Sequence, residues 1–303
     1  MRVGMKERLT GSLFVAGLVF LAGCQPVTST ISTPFGNFTT ATLIMGPADG
    51  ITGLSQPAYI DFGPDGKLYV TTYTGSLFAI ALNPDNSVAD VQEFQPIPGR
   101  ILTGFAFDPD APVSDPVLYL VSNAQPLFEA DDFTGRVSRV TGAGFDQVTD
   151  VIDGLPRSYE NHMTFPLLFG TDGRLYIGQS GNTNHGAAGP GLFGDRPESE
   201  LSAAILVADV TDPAFGGIGD VEVYAPGLRN PYGMCLHSNG HIYIEDQGGN
   251  EGLGGPPGPG GVGMVGTGED TPDELNVLMP DVYYGHPNPA RGELAYQADL
   301  ADG

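Results

Sequence analysis

The sequence predicts an all-β chain folded as a β-propeller of four-stranded blades, on two observations. The first is a recurring tyrosine context: Pro57-Ala-Tyr-Ile-Asp-Phe-Gly-Pro-Asp-Gly-Lys-Leu-Tyr69-Val, Thr103-Gly-Phe-Ala-Phe-Asp-Pro-Asp with Leu118-Tyr119-Leu120, Phe165-Pro-Leu-Leu-Phe-Gly-Thr-Asp-Gly-Arg-Leu-Tyr176-Ile, and Tyr232-Gly-Met-Cys-Leu-His-Ser-Asn-Gly-His-Ile-Tyr243-Ile. Each unit reads as a β-hairpin, and the most explicit of them turn on Asp-Gly or Asn-Gly. These tyrosines lie 50, 57 and 67 residues apart, a spacing that leaves room for two more strands per unit, as in propeller blades. The second observation is that 45 Gly and 26 Pro interrupt the chain, so no long stretch holds a helical period. A β-sandwich is the alternative architecture, but its repeats would be shorter and less alike.

Before the first unit, Arg2, Lys6 and Arg8 precede an apolar run from Leu13 to Ala22, which ends in Leu21-Ala22-Gly23-Cys24. The layout is that of a signal peptide over residues 1–23, and its small residues before a cysteine resemble a bacterial lipobox. The run is too short for a transmembrane helix, which needs about 17–25 residues. The resemblance implies an exported protein with Cys24 as the lipidated mature N-terminus. Gln25 in place of an acidic residue implies the outer membrane. Residues 24–50, with Pro26-Val-Thr-Ser-Thr30, read as the lipidated end and a tether, and residues 51–303 as the propeller domain.

Loss of residues 1–23 removes three basic residues and one acidic, so the formal net charge of −24 becomes −26. Such a surface repels nucleic acid and anionic lipid. With Cys24 lipidated, Cys235 alone remains, in the apolar stretch 232–236, where it reads as a buried, inert thiol.

Third and fourth strands are expected at Gly75–Leu82, Gly135–Thr141 and Ala203–Val210. Gly248–Gly268 holds eleven Gly and three Pro in twenty-one residues and reads as an irregular loop between two strands of the fourth blade, because it breaks collagen register at once.

Three segments exceed what the architecture needs. They are Val151-Ile-Asp-Gly-Leu-Pro156 with Asn161-His162, then Tyr224-Ala-Pro-Gly-Leu-Arg229-Asn230-Pro231-Tyr-Gly, then Glu245-Asp-Gln247-Gly248-Gly249-Asn250 continuing as Pro272-Asp-Glu-Leu-Asn276 and Tyr284-Gly-His-Pro287. A neutral imidazole can take a hydroxyl proton near pH 7, and a guanidinium presents a fixed fork to quinone or carboxylate oxygens. On spacing alone His162 is equally an ordinary structural histidine, and Arg229 a tie between blades through backbone carbonyls. The other histidines, His185, His237, His241 and His286, form no metal-ligand spacing.

In this order the segments resemble the glucose/sorbosone dehydrogenase family, pyrroloquinoline quinone (PQQ) enzymes on a six-bladed β-propeller. The resemblance runs from about Gly53 to about Asn288 and includes Gly178-Gln-Ser-Gly-Asn182. It implies PQQ-dependent oxidation of a sugar or polyol, with His162 as base. It also implies cofactor contacts from Arg229, Asn230 and Gln247, and a calcium ion held partly by backbone oxygens at Gly248 and Gly249, where Gly249 stands in place of the usual proline. Asp273, Glu274 and Asn276 are expected to fix the loop's return. The chain shows about four of the six blades, without the basic residues of later blades, and reads as C-terminally truncated because an open ring would expose sheet edges. The electron acceptor is left open. The alternatives are a carbohydrate-binding propeller without redox chemistry and a metal-dependent lactonase-type hydrolase.

Overall fold

The computed structural model describes residues 54–294, together with the backbone of two short strands, β1 (Ser29–Thr33) and β2 (Gly36–Thr40), which pair antiparallel inside the expected tether. The expected signal peptide and Cys24 lie outside the described residues.

Beyond the tether the strands fall into four antiparallel sheets, each in simple up-and-down order, as expected for propeller blades. Blade 1 is β3 (Pro57–Phe62), β4 (Leu68–Thr72), β5 (Leu77–Leu82) and β6 (Val88–Phe94). Blade 2 is β7 (Arg100–Phe107), β8 (Leu118–Ala124), β9 (Gly135–Thr141) and β10 (Gln147–Leu155). Blade 3 is β11 (Thr164–Phe169), β12 (Leu175–Gln179), β13 (Ala204–Ala208) and β14 (Glu222–Pro226). Blade 4 is β15 (Pro231–Leu236), β16 (Ile242–Asp246) and β17 (Glu274–Val277), three strands among the described residues where four were expected. The glycine-rich run does lie between two strands of this blade, β16 and β17.

The tyrosine repeat has a local cause. In blade 1 the Asp65 carboxylate accepts the Lys67 N–H (3.2 Å) and the Tyr69 hydroxyl (3.2 Å), while Gly66 supplies a φ of 76°. Asp172, Arg174 and Tyr176 repeat this in blade 3, with Gly173 at φ 79°. In blade 4, Asn239 accepts from the His241 N–H (3.0 Å) and donates to the Tyr243 hydroxyl (3.1 Å). One side chain thus closes the turn and holds the tyrosine that starts the next layer of core.

Side-chain alternation buries one face of each sheet against the next blade. Tyr69, Leu77 and Ala79 of blade 1 pack with Phe105, Leu118, Leu120 and Val140 of blade 2. Val121, Val137 and Ile152 of blade 2 meet Leu167, Ile177 and Leu206 of blade 3. Ile205, Val207 and Ala225 of blade 3 meet Met234, Ile242 and Ile244 of blade 4. The first strands stand side by side, β3 with β7, β7 with β11 and β11 with β15. At Gly104 on β7 any Cβ would collide with the Phe165 carbonyl of β11, so the close approach requires glycine. The Tyr73 and Tyr232 hydroxyls, 2.5 Å apart, join blade 1 to blade 4.

Cys235 corrects the sequence reading, because it is exposed rather than buried. Met234 takes the side of β15 that faces blade 3, so alternation turns Cys235 to the opposite face. Opposite it, beyond Tyr243, stands Val277, and Leu275 on the same strand is 76% exposed.

Candidate functional site

The loop between β10 and β11 carries His162 and is tied down at several points. Ser158 N–H donates to the His162 carbonyl (3.0 Å), and His162 N–H donates to Ser158 Oγ (3.0 Å). Beside them Arg157, fully buried, donates to the carbonyls of Pro126 (3.2 Å) and Leu127 (2.6 Å), and its N–H reaches Asp132 (2.9 Å). Arg196 donates in turn to the Arg157 carbonyl (2.6 Å). The catalytic candidate therefore sits on a segment anchored to blade 2.

The His162 ring is buried, 3% exposed, with Nδ1 2.9 Å from the Gly181 carbonyl. A carbonyl only accepts, so Nδ1 carries the proton and Nε2 the lone pair. Burial, and then the charge of Arg229, hold the imidazole well below its ordinary pKa against the pull of the Gly181 carbonyl. His162 is thus a neutral base at pH 7, aimed through Nε2. Phe193 packs edge-on against it, with ring centroids 4.7 Å apart.

Arg229 and Asn230 follow β14 and are set by one carboxylate. Asp246, at the end of β16, accepts the Arg229 N–H at Oδ2 (3.0 Å) and the Asn230 N–H at Oδ1 (2.7 Å). Burial pushes this carboxyl up to about 7, against the pull of the two amides and the guanidinium. The Arg229 guanidinium donates to the Asn184 carbonyl (2.9 Å), to Asn184 Oδ1 (2.6 Å) and to the Gln247 carbonyl (3.2 Å), and lies 5.7 Å from the Phe193 ring centre. Arg229 therefore does tie segments together through backbone carbonyls, and Phe193 is the wall it shares with His162. The Asn230 side chain accepts from Ser180 Oγ (2.7 Å) and donates to Gln247 Oε1 (2.6 Å).

At the mouth of the glycine-rich loop, Gly248 N–H donates to Asp273 (3.0 Å) and Thr271 N–H to the Gly249 carbonyl (3.0 Å), so Asp273 fastens the loop's return as expected. The ring of His185 fills the space that a Cβ at Gly249 would need, which accounts for glycine at this position. Asp270 closes the rim by accepting the Glu251 N–H (2.7 Å).

The structure thus brings His162, Arg229, Asn230 and Gln247 into one neighbourhood and places Gly248 and Gly249 beside Gln247. The guanidinium and the two amides form a donor set matched to carboxylate and quinone oxygens. The Gly248 and Gly249 carbonyls are hard oxygens, the ligand type calcium takes, and the Gly249 carbonyl already accepts the Thr271 N–H. Among the described residues no group of three or more His, Cys, Asp or Glu side chains is placed to hold a metal. Sequence reasoning missed Phe193, Asn184 and Glu198. Glu198, fully buried, joins His286 at 3.0 Å.

The sequence profile of the family described as Glucose / Sorbosone dehydrogenase matches residues 54–301. No curated protein is significantly similar in sequence. Among solved structures, the PQQ-bound aldose sugar dehydrogenase from Streptomyces coelicolor is 21% identical with a TM-score of 0.54, covering 81% of this chain and 67% of that one. The holo form of the pyranose dehydrogenase PQQ domain from Coprinopsis cinerea is 16% identical with a TM-score of 0.55, over 78% and 55%. A Trichoderma reesei protein of carbohydrate-active enzymes family AA12 is 17% identical with a TM-score of 0.57, over 88% and 62%. The chain thus spans between just over half and two thirds of these proteins, and the likeness is one of fold.

Proposed function

The chain belongs to the glucose/sorbosone dehydrogenase family, and from that premise we propose that it supplies the catalytic base and part of the cofactor site of an enzyme that oxidises a hydroxyl or hemiacetal of a sugar or polyol. Bound PQQ supplies a two-electron acceptor for the hydride. The observation that carries the reading is His162, whose proton is fixed on Nδ1 by the Gly181 carbonyl while burial and Arg229 keep Nε2 unprotonated. That nitrogen is free of a proton and would take one from a substrate hydroxyl. Phe193 excludes water from the ring's flank, and Arg229, Asn230 and Gln247 would hold the anionic cofactor. The Gly248 and Gly249 carbonyls would supply oxygen ligands to a calcium ion, whose chemistry would be to polarise the cofactor.

The test is reconstitution of the protein with PQQ and calcium, followed by reduction of an artificial dye with a panel of aldoses and polyols. Dye reduction should require PQQ, fall on treatment with a chelator and return with calcium. Sugar binding without dye reduction in the PQQ-loaded protein would favour a carbohydrate-binding propeller instead.

For the N-terminus we propose export and anchoring to the outer membrane through acyl chains on Cys24, supported by the Leu21-Ala-Gly-Cys24 pattern and Gln25. Mass spectrometry of the N-terminal peptide should find an acylated Cys24. An unmodified Cys24 within an intact precursor would overturn the assignment.

A further inference from the structure

The base candidate has a second partner one peptide unit away. The Gly181 carbonyl that accepts from His162 Nδ1 belongs to the same peptide group as the Asn182 N–H, and that N–H donates to Glu198 Oε2 at 2.8 Å. Gly181 N–H donates to the Arg229 carbonyl (2.7 Å), so this strip of backbone is held on both sides. Glu198 is fully enclosed: Oε1 accepts from Thr183 N–H (2.9 Å), Thr183 Oγ (2.6 Å) and His286 Nε2 (3.0 Å), and Oε2 also accepts from Ser202 Oγ (2.6 Å). A Cβ on Gly181 would stand 3.0 Å from both Glu198 Oε1 and His286 Nε2, so the carboxylate and its imidazole partner crowd the space a side chain at position 181 would use.

We propose that Glu198 is the remote carboxylate partner of His162, acting through the Gly181–Asn182 peptide to fix the Nδ1–H tautomer and to stabilise the imidazolium that forms when Nε2 takes a proton. This rests on the reading of His162 as the base. Glu198 is a positioning residue, touching neither substrate nor cofactor.

Burial alone would push the Glu198 carboxyl up, yet hydrogen bonds from His286, Ser202 and Thr183 hold it below its ordinary value, so it is an anion at neutral pH. An anion on the N–H side of an amide polarises the group and makes its carbonyl a stronger acceptor, most of all in a dry interior. The role matches that of a carboxylate placed directly on a catalytic histidine, here transmitted by one peptide unit. The charge of Arg229 opposes protonation of the His162 ring, and His286 opposes it as well whenever it is protonated. Glu198 is the anion that offsets them.

The experiment reads the imidazole nitrogens by NMR in the full chain, cofactor-free and labelled with ¹⁵N-histidine. In Glu198→Gln the His162 titration midpoint should move to lower pH, and the preference for the Nδ1–H tautomer should weaken. In Ser202→Ala, which removes one donor from Glu198 Oε2 and leaves the charge more on the Asn182 N–H, the midpoint should move to higher pH. Ser202→Ala removes only a hydroxyl, so it keeps the test open if Glu198→Gln fails to fold. An unchanged His162 midpoint in a folded Glu198→Gln, or a lowered or unchanged one in Ser202→Ala, would overturn the proposal. In the PQQ-loaded protein Glu198→Gln should reduce turnover about 10²-fold with little change in KM, the size of effect expected when a catalytic group is misplaced. If His162→Ala keeps full dye reduction while the NMR shifts appear as described, the coupling stands and the assignment of His162 as base fails.

Discussion

His162→Ala is expected to lower dye-linked turnover by roughly 10²–10⁴-fold, the usual contribution of a positioned general base. At about 1.36 kcal/mol per tenfold, that is about 3–5 kcal/mol of barrier. The change should fall on turnover rather than on cofactor binding, because the imidazole is held by a backbone carbonyl and by Phe193, while Arg229, Asn230 and Gln247 reach one another without it. The local backbone should survive as well, since the loop is fixed by the His162 N–H to Ser158 and by Arg157 and Arg196, none of which needs the ring. The pH profile adds a sharper check. The imidazole is held neutral well below its ordinary value, so protonation of His162 itself should lower kcat/KM only on acidification below neutral pH. Absorbance titration with PQQ beside steady-state dye reduction separates the two effects. Equal turnover by wild type and His162→Ala would remove His162 from the mechanism.

The blades were legible because their signal is local. Asp65-Gly66 with Tyr69, and Asp172-Gly173 with Tyr176, complete a turn and its tyrosine within five residues, so the sequence contains the whole interaction. The candidate site is legible only where it coincides with such segments. His162 and Arg229 stand in recognisable stretches, but what fixes them comes from far along the chain: Asn184 meets Arg229 across 45 residues, and Glu198 meets His286 across 88. Phe193 sits in Gly191-Leu-Phe-Gly194, a stretch with no period or motif, and matters only because the fold sets it between a cation and an imidazole. Cys235 failed for the opposite reason. Its neighbours are apolar, but a strand gives successive residues to opposite faces, so hydrophobicity read along the chain does not say which face is covered.

The second large effect is expected in stability against pH, and Asp246 is its source. Burial raises this carboxyl from an ordinary 3.8 to about 7. Between those values the native state holds a proton that the unfolded chain has released, so stability falls as pH rises from about 4 to about 7. The difference in pKa corresponds to about 4 kcal/mol over that window. His162 acts in the other direction. Its lowered value means that the unfolded chain binds the extra proton, so its contribution is present above about 6.5 and lost on acidification. Asp246→Asn separates the two. The amide nitrogen cannot accept, so one of the N–H groups of Arg229 and Asn230 loses its partner, at a cost of about 1–3 kcal/mol that does not depend on pH. What should disappear is the slope: denaturant midpoints taken from pH 4 to pH 7 should fall less steeply in Asp246→Asn than in wild type. Parallel curves would show that Asp246 is ionised throughout the window, with its two backbone amides and Arg229 outweighing its burial.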